Sequence, residues 1–304
     1  MLLRHLFLFL SNRRRLRRFL EHSPAALRLT SRFIAGRQID DAVRVTRQLN
    51  LSGFSTTLDY LGESVTTLEE AAAARDVYLQ MLEQIHFHGL HANVSLKLTQ
   101  LGIGVSEAAC RSNVAAVAER AAALQNFVRV DMESSAYTGR TLALIADLHG
   151  QYPNIGAVVQ SYLHRSERDL EDLIRRKIRV RLVKGAYDEP PSVAFQKKSE
   201  VDAGFDKLAR LLLLTGNYPA LATHDEALLA SLISFAEEHH IAKDAYEIQM
   251  LYGIRRDLQA RFVTQGHKFR VYVPFGGAWY PYFMRRLAER PANVWFVARH
   301  LFRR

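Results

Sequence analysis

The chain has 304 residues, a length that suits one α/β barrel or a two-domain enzyme and exceeds a single small module. Its composition, 48% hydrophobic and 24% charged, excludes intrinsic disorder over most of the sequence. The one cysteine, Cys110, excludes a secreted scaffold held by intramolecular disulfides. We therefore expect a protein of the reducing cytoplasm. No apolar run approaches the ~18 residues of a membrane-spanning helix, so we expect no crossing of a bilayer.

Positive charge is concentrated in the first 37 residues. Nine arginines against the single acid Glu21 account for +8 of the net charge of +10, so the other residues carry only +2. A nearly neutral body does not favour nucleic-acid binding. The apolar stretch of this arm precedes its basic stretch, SNRRRLRRFL, which is the reverse of a signal peptide. Two alternatives stay open for the arm: packing against its own domain, or peripheral contact with the inner face of a membrane.

Eight short runs of mainly β-branched and apolar residues alternate with longer amphipathic stretches after residue 55. The runs cover residues 56–61, 94–98, 127–131, 157–160, 180–183, 221–223, 246–250 and 270–273. Eight strand–helix units predict a parallel sheet closed into a (β/α)8 barrel. No linker rich in Pro, Gly or Ser divides the body. We therefore predict a helical basic arm over residues 1–50 and a single barrel domain over residues 51–304.

Polar residues gather on or just after these strands, at the end where barrel active sites lie. They are Glu63, Lys97, Asp131, Glu133, Gln160, Arg181, Lys184, Tyr187, Thr223, His224, Asp225, Glu247, Gln249 and Tyr272. Because a buried ion needs a partner, this concentration predicts a polar ligand site at the mouth of the barrel.

Two adjacent arginines, Arg285 and Arg286, follow Tyr282 by three and four residues. A guanidinium offers a planar fork of donors that matches a carboxylate or phosphate. Two such arginines beside aromatic residues are therefore suited to binding a small organic acid. An exposed basic helix face is the alternative interpretation of the pair taken alone.

Three other kinds of site are disfavoured. The segment GIGVSE, from Gly102, lacks the third glycine of the dinucleotide-binding motif. The HFHGLH segment has no spaced carboxylate to complete a metal site, so we predict no metal. Asp131 and Glu133 are two carboxylates at the end of one predicted strand, and we do not expect them to form a glycosidase-type pair.

Several long motifs occur in order on the predicted strands and helices. They include LDYLGE, SLKLTQLG, VRVDMESS, VVQSYLHRSERDL, VRLVKGAYDEP, YEIQMLYGIRRDL and RVYVPFGGAWYPYFMRRLAERPAN. With these motifs the sequence resembles the proline dehydrogenase family, in its short monofunctional bacterial form. The resemblance implies a distorted (β/α)8 barrel that binds FAD and oxidises L-proline to 1-pyrroline-5-carboxylate. It also implies hydride transfer to the flavin N5 atom and a membrane quinone as electron acceptor.

The resemblance further implies roles for individual positions. The proline carboxylate is bound by Lys97, Arg285 and Arg286, and the proline ring is lined by Leu251, Tyr272 and Tyr282. FAD is contacted by Met132, Gln160, Arg181, Lys184, Gly185, Ala186, Thr223 and His224. Asp131 and Arg181 are the implied catalytic residues, with Arg181 near flavin N5. Glu63 is implied to pair with the first arginine of the clamp and to gate the site.

One departure from the family pattern stands between YVPFG and WYPY, where Gly277 and Ala278 replace a more polar pair. It puts the rigidity of that loop and an FAD contact in doubt. The alternative function is flavin-dependent oxidation of another small cyclic amino acid such as hydroxyproline, which the ring of Tyr272 is implied to disfavour. A 1-pyrroline-5-carboxylate dehydrogenase is a further candidate partner, as the enzyme that would take up the product.

Overall fold

The structure is a computed structural model that describes residues 31–280 and 282–284. The basic arm up to residue 30, together with Arg285 and Arg286, lies outside the described residues. No helix within the described part of the chain is long and apolar enough to cross a membrane.

Eight parallel strands form a closed barrel in chain order, and the last strand returns to pair with the first. They are β1 (Ser55–Tyr60), β2 (Ala92–Leu96), β3 (Val128–Val130), β4 (Ile155–Gln160), β5 (Val180–Val183), β6 (Ala220–Ala222), β7 (Glu247–Leu251) and β8 (Phe269–Phe275). No strand end differs from its predicted position by more than two residues. The predicted (β/α)8 fold is confirmed.

The described helices precede β1 or follow strands β1 to β7. They are α1 (Ile39–Leu51), α2 (Leu68–Phe87), α3 (Glu107–Ala123), α4 (Ser135–His149), α5 (Ser166–Arg175), α6 (Lys198–Thr215), α7 (Glu226–Glu238) and α8 (Arg256–Thr264). Side chains of Thr67, Ser106 and Asp225 cap α2, α3 and α7 by accepting a backbone N–H of the first turn. Helix α1 crosses residue 50 and packs on β1 and β8, so its buried face joins the barrel core.

Strand residues alternate between two environments. On β1 and β2, Leu58, Val94 and Leu96 belong to the large apolar core, which lies between the strands and the surrounding helices. Because successive side chains point to opposite faces of a strand, the intervening residues face the barrel axis. Those residues include Asp59 and Ser95, so the interior of this barrel is polar where most such barrels are filled by Val, Ile and Leu.

The polar interior extends to the amino-terminal end of the barrel, away from the mouth. Glu247 is the first residue of β7, and Arg270 Nε donates to both of its carboxylate oxygens at 3.0 Å. Gln249 Nε2 donates to Glu247 Oε1 at 2.5 Å. Burial alone would raise the pKa of Glu247, but the Arg270 guanidinium holds that pKa below its usual value. The placement of Glu247 at the mouth was therefore wrong, because the residue begins its strand and serves an internal ion pair.

A buried guanidinium, Arg129 on β3, occupies the same end of the barrel. Its Nη1 atom donates to the carbonyl oxygens of Ala157 and Arg179, at 3.1 and 2.9 Å. The neighbouring strand leaves room for it with Gly156. A Cβ built on Gly156 would lie 2.5 Å from the Phe127 ring and 2.7 Å from the Arg179 carbonyl oxygen. The second contact is with backbone, which cannot rotate away.

We expect Gly156→Ala to lower the free energy of unfolding by about 1–3 kcal/mol, because the added methyl group overpacks this layer. Urea denaturation followed by circular dichroism measures the change. Gly150→Ala is the matched control, since its Cβ would meet only the Asp147 carbonyl oxygen at 3.9 Å. Equal stability of the two variants would contradict the stated packing of Arg129.

Candidate active site

An aspartate at the carboxyl end of β3 is the centre of the polar network at the mouth. Asp131 Oδ1 accepts hydrogen bonds from Arg181 Nη1 at 2.8 Å and from Ser95 Oγ at 2.7 Å. Its other oxygen accepts from Tyr272 Oη at 2.7 Å. The guanidinium carbon of Arg181 also lies 5.2 Å from the centre of the Tyr272 ring. Strands β2, β3, β5 and β8 thus fix one carboxylate and one guanidinium in a defined orientation.

A second ion pair lies beside the first. Lys97, just beyond β2, donates from Nζ to Asp59 Oδ1 of β1 at 2.8 Å, and both side chains are buried. Burial alone would lower the pKa of Lys97, but the carboxylates of Asp59 and Asp131 hold it above its usual value. Burial, with Asp131 and Asp59, also raises the pKa of Tyr272 well above its usual value. Lys97 is therefore a cation, and Tyr272 a neutral hydroxyl, at physiological pH.

Buried donor and acceptor atoms at the mouth remain without hydrogen-bond partners among the described residues. They are Nε and Nη2 of Arg181 and Oε1 of Gln160. Gln160 is itself held, because its Nε2 atom donates to the Glu133 carbonyl oxygen at 2.8 Å. Since buried polar groups are rarely unpaired, these atoms fit a ligand that offers both acceptors and donors in a plane. The polar edge of a flavin ring is such a ligand, so the residues fit the cofactor that the resemblance implies.

Charged side chains also cluster where the resemblance implies the phosphates of FAD. Lys184 Nζ lies 2.5 Å from Asp202 Oδ1 and 3.0 Å from Asp225 Oδ2. Lys198 contacts the same two carboxylates. These contacts occupy two of the three N–H groups of Lys184, which leaves the third for a phosphate. The amino-terminal end of α7, capped by Asp225, supplies backbone N–H groups at the same place.

The remaining cofactor-contact predictions fall on the same rim. Gly185 has φ of +122°, and a Cβ there would lie 2.3 Å from the Tyr162 ring, so only glycine fits. Thr223 Oγ1 accepts the Asp225 backbone N–H at 3.2 Å. His224 Nε2 accepts the Leu251 backbone N–H at 3.1 Å, which brings β6 and β7 together at the mouth. Met132 is buried next to Asp131, while Ala186 follows Gly185 on the loop after β5.

A cavity of about 450 Å³ opens beside Lys97. Its walls include Glu63, Gln100, Ala278 and Tyr282. Glu63 therefore lines the same cavity as Lys97, and its gating role stays a prediction. Tyr282 and Leu251 belong to one apolar cluster. A larger depression of about 670 Å³ lies between α4 and α5, but it shares no lining residue with the mouth network, and its charged walls are largely ion-paired with one another.

Sequence reasoning missed two residues that organise this site, Asp59 and Ser95, which carry or complete the ion pairs. Glu133, which was predicted at the mouth, accepts both the backbone N–H and the hydroxyl of Thr99, at 3.0 and 2.5 Å. The last contact fixes the turn that follows Lys97. One signal was available for Asp59: a lysine at a buried strand end requires an anion on a neighbouring strand.

Other predicted features have local roles. His88, in the HFHGLH segment, shares a 3.1 Å contact between its Nδ1 atom and Arg47 Nη2. Across residues 31–280 and 282–284, no group of three or more His, Cys, Asp or Glu side chains is placed to hold a metal ion. Cys110 is buried, and burial raises the pKa of its thiol to about 12, so it is a packing residue.

Known proteins resemble this chain over its whole length. A family model described as proline dehydrogenase matches residues 42–299. Proline dehydrogenase 1 of Bacillus subtilis (strain 168) is 39% identical over 303 residues, which cover 100% of both chains. Proline dehydrogenase of Deinococcus radiodurans is 37% identical over 280 residues and 90% of each chain.

Solved structures agree with these sequence relatives. Proline utilization A (PutA) from Bdellovibrio bacteriovorus, inactivated by N-propargylglycine, matches with a TM-score of 0.80 and 26% identity. The match covers 86% of this chain and 32% of the PutA chain, so this chain corresponds to about a third of that larger protein. On the family match and the full-length relatives, the chain belongs to the proline dehydrogenase family.

Proposed function

We propose that the chain oxidises L-proline to 1-pyrroline-5-carboxylate, with FAD as cofactor and a quinone as electron acceptor. The observation that carries the proposal is the pairing, at one mouth, of a buried lysine suited to a carboxylate with a buried arginine whose Nε and Nη2 atoms have no partner among the described residues. The first suits the acid group of an amino acid, and the second suits a flavin edge.

Each residue has a defined task in this reaction. Lys97 binds the substrate carboxylate together with Arg285 and Arg286, and this grip fixes the small ring in one orientation. Arg181 and Gln160 would hold the polar edge of the flavin, where the Arg181 guanidinium would oppose negative charge. Bound FAD supplies the two-electron acceptor that none of the protein side chains provides. One ring C–H hydrogen leaves with two electrons as a hydride to the acceptor, one N–H proton leaves to solvent, and the product carries a C=N bond in place of the two broken bonds.

The Tyr272 side chain favours proline over 4-hydroxyproline. Its hydroxyl donates to Asp131, and its ring faces Arg181, so both ends of the side chain are held. A ring hydroxyl on the substrate would need the space that this fixed ring fills. Hydroxyproline remains the substrate to compare with proline, and turnover that favours hydroxyproline would contradict this assignment.

The proposals for the electron acceptor and for the partners are based on membership of the family. A quinone is the proposed oxidant, since the reduced cofactor must be reoxidised before each new turnover. Docking of a 1-pyrroline-5-carboxylate dehydrogenase, and contact of the basic arm with an anionic membrane surface, are further proposals. Vesicles of anionic lipid test the second by co-sedimentation at low and high salt, because an electrostatic contact weakens as salt rises.

Inactivation by N-propargylglycine tests the proposed function. The FAD-loaded protein should lose activity with time on exposure to this compound, as stated for the Bdellovibrio PutA. L-proline should slow the loss, because both molecules are amino acids that present a carboxylate to the same cations. The protein should also purify with a flavin absorbance band. Inactivation at an unchanged rate in saturating proline would contradict a shared site.

A further inference from the structure

One carboxylate at the mouth has no task in the reaction described above. Asp59 on β1 is 1% exposed, and its Oδ1 atom lies 2.8 Å from Lys97 Nζ. Removing two such ions from water costs several kcal/mol for each, so the pair is a poor source of stability compared with apolar packing. The position of the pair against the cavity suggests another use.

The Lys97 ammonium has donors to spare. It carries three N–H groups, and Asp59 is its hydrogen-bond acceptor among the described residues. Lys97 also lines the cavity of about 450 Å³ at the mouth. An anion in this cavity therefore meets an ammonium whose position is already fixed from behind. Fixing the cation before binding reduces the entropy that the complex must lose.

The charged groups around Lys97 come from several elements. Asp59 lies on β1, Glu63 follows that strand, and Asp131 follows β3. The Tyr272 hydroxyl of β8 donates to Asp131 and lies close to Asp59, while Arg181 of β5 pairs with Asp131. Asp131 is thus already shared between Arg181, Ser95 and Tyr272. Asp59 is the carboxylate that pairs directly with Lys97.

We propose that Asp59 is a positioning residue that keeps Lys97 protonated and aimed at the carboxylate of the bound amino acid. The inference deepens the proposed function and rests on it. Asp59 does not touch the substrate. It acts through Lys97, and its position next to the Tyr272 hydroxyl joins the carboxylate-binding cation to the Asp131–Arg181 pair.

The groups around Lys97 determine whether affinity for a carboxylate rises or falls with pH. In the wild-type protein, Asp59 and Asp131 outweigh burial and raise the pKa of Lys97, so the cation persists through pH 9. Of the two carboxylates, Asp59 raises the pKa of Lys97 more than Asp131 does. Asp59→Asn removes that charge while Lys97 stays buried, so the pKa of Lys97 falls. The ammonium then loses its proton as the pH rises through the lowered pKa, and affinity for a carboxylate is lost with it.

Cyclopentanecarboxylate is the probe, because it keeps the ring and the acid of proline but has no amine to oxidise or titrate. Calorimetry on the FAD-loaded protein measures its dissociation constant from pH 6 to pH 9. We expect a nearly constant value for the wild-type protein. For Asp59→Asn we expect a dissociation constant that rises about tenfold for each pH unit above the lowered pKa of Lys97. The KM for L-proline should follow the same profile, with a smaller change in kcat.

Two variants separate this role from a merely structural one. Glu247→Gln removes another buried, ion-paired carboxylate of the barrel interior and should leave the pH profile flat. Asp59→Glu keeps the charge and should restore the flat profile to a large extent. A flat profile with wild-type affinity in Asp59→Asn would overturn the inference.

The wild-type protein alone can also overturn the inference, should Asp59→Asn not fold. A tenfold weakening of cyclopentanecarboxylate binding between pH 6 and pH 9 would show that Lys97 is not held protonated. Failure of the proposed function looks different, since neither L-proline nor the probe would then bind the wild-type protein at any pH.

Discussion

Arg181→Met should lower the rate at which L-proline reduces the bound flavin by a factor of about 10² to 10³, the usual loss when one preorganised electrostatic donor is removed from an active site. Arg181 is 4% exposed, and its Nη1 atom holds Asp131 at 2.8 Å. Its other donors have no partner among the described residues and are available to the flavin. The variant also leaves Asp131 without its cation, which disturbs the orientation of Tyr272.

Stopped-flow reduction under anaerobic conditions measures this effect separately from reoxidation. Arg179→Met is the matched control, because Arg179 lies just before the same strand, at the opposite end of the barrel, with its guanidinium over Phe127 and Tyr218. We expect a reduction rate within a factor of about two for this control, as for other surface changes away from the site. A normal rate in Arg181→Met would remove that residue from the chemistry.

Lys97→Met should have two separate effects. It leaves the Asp59 carboxylate buried without its partner, which costs about 3–5 kcal/mol of folding free energy. It also removes a cation from the substrate carboxylate, and loss of one partner of a buried pair costs about 2–5 kcal/mol, so the KM for L-proline should rise at least about 30-fold.

A double variant distinguishes the two effects. Lys97→Met combined with Asp59→Asn removes both ions, so urea denaturation should recover most of the lost stability. The KM for L-proline should stay high, because the cation is still absent. Recovery of proline binding together with stability would contradict direct contact between Lys97 and the substrate. Arg286→Ala provides a companion test of the proposed clamp, with weakened proline binding and unchanged flavin content expected.

The barrel was predictable because its signal is local and repeated. Each strand is a short run of mainly apolar and β-branched residues, and strands β1 to β7 are each followed by a helix with apolar residues at every third or fourth position. The mouth was predictable for the same reason, since residues at strand ends such as Asp131 and Gln160 meet at one rim of a parallel barrel. Arg181 starts lower, as the second residue of β5, and its long side chain reaches Asp131 Oδ1 at 2.8 Å.

Pairings across the barrel were less accessible to sequence reasoning. Asp59 stands in the apolar run TTLDYL, and the lysine that explains it is 38 residues away on the next strand. Lys184 meets Asp202, in the first turns of α6, and Asp225, the N-cap of α7, which follow it by 18 and 41 residues. Glu247 was misplaced because alternation tells which face a residue occupies but not its height along the barrel axis. Its position at the start of β7 decides that height.

Anaerobic titration with L-proline, followed by flavin absorbance, tests the central claim most directly. The account predicts a yellow protein whose flavin band bleaches in proportion to added proline, with 1-pyrroline-5-carboxylate formed in equal amount. A protein that cannot be reconstituted with FAD, or whose flavin band is unchanged by saturating proline, would contradict it.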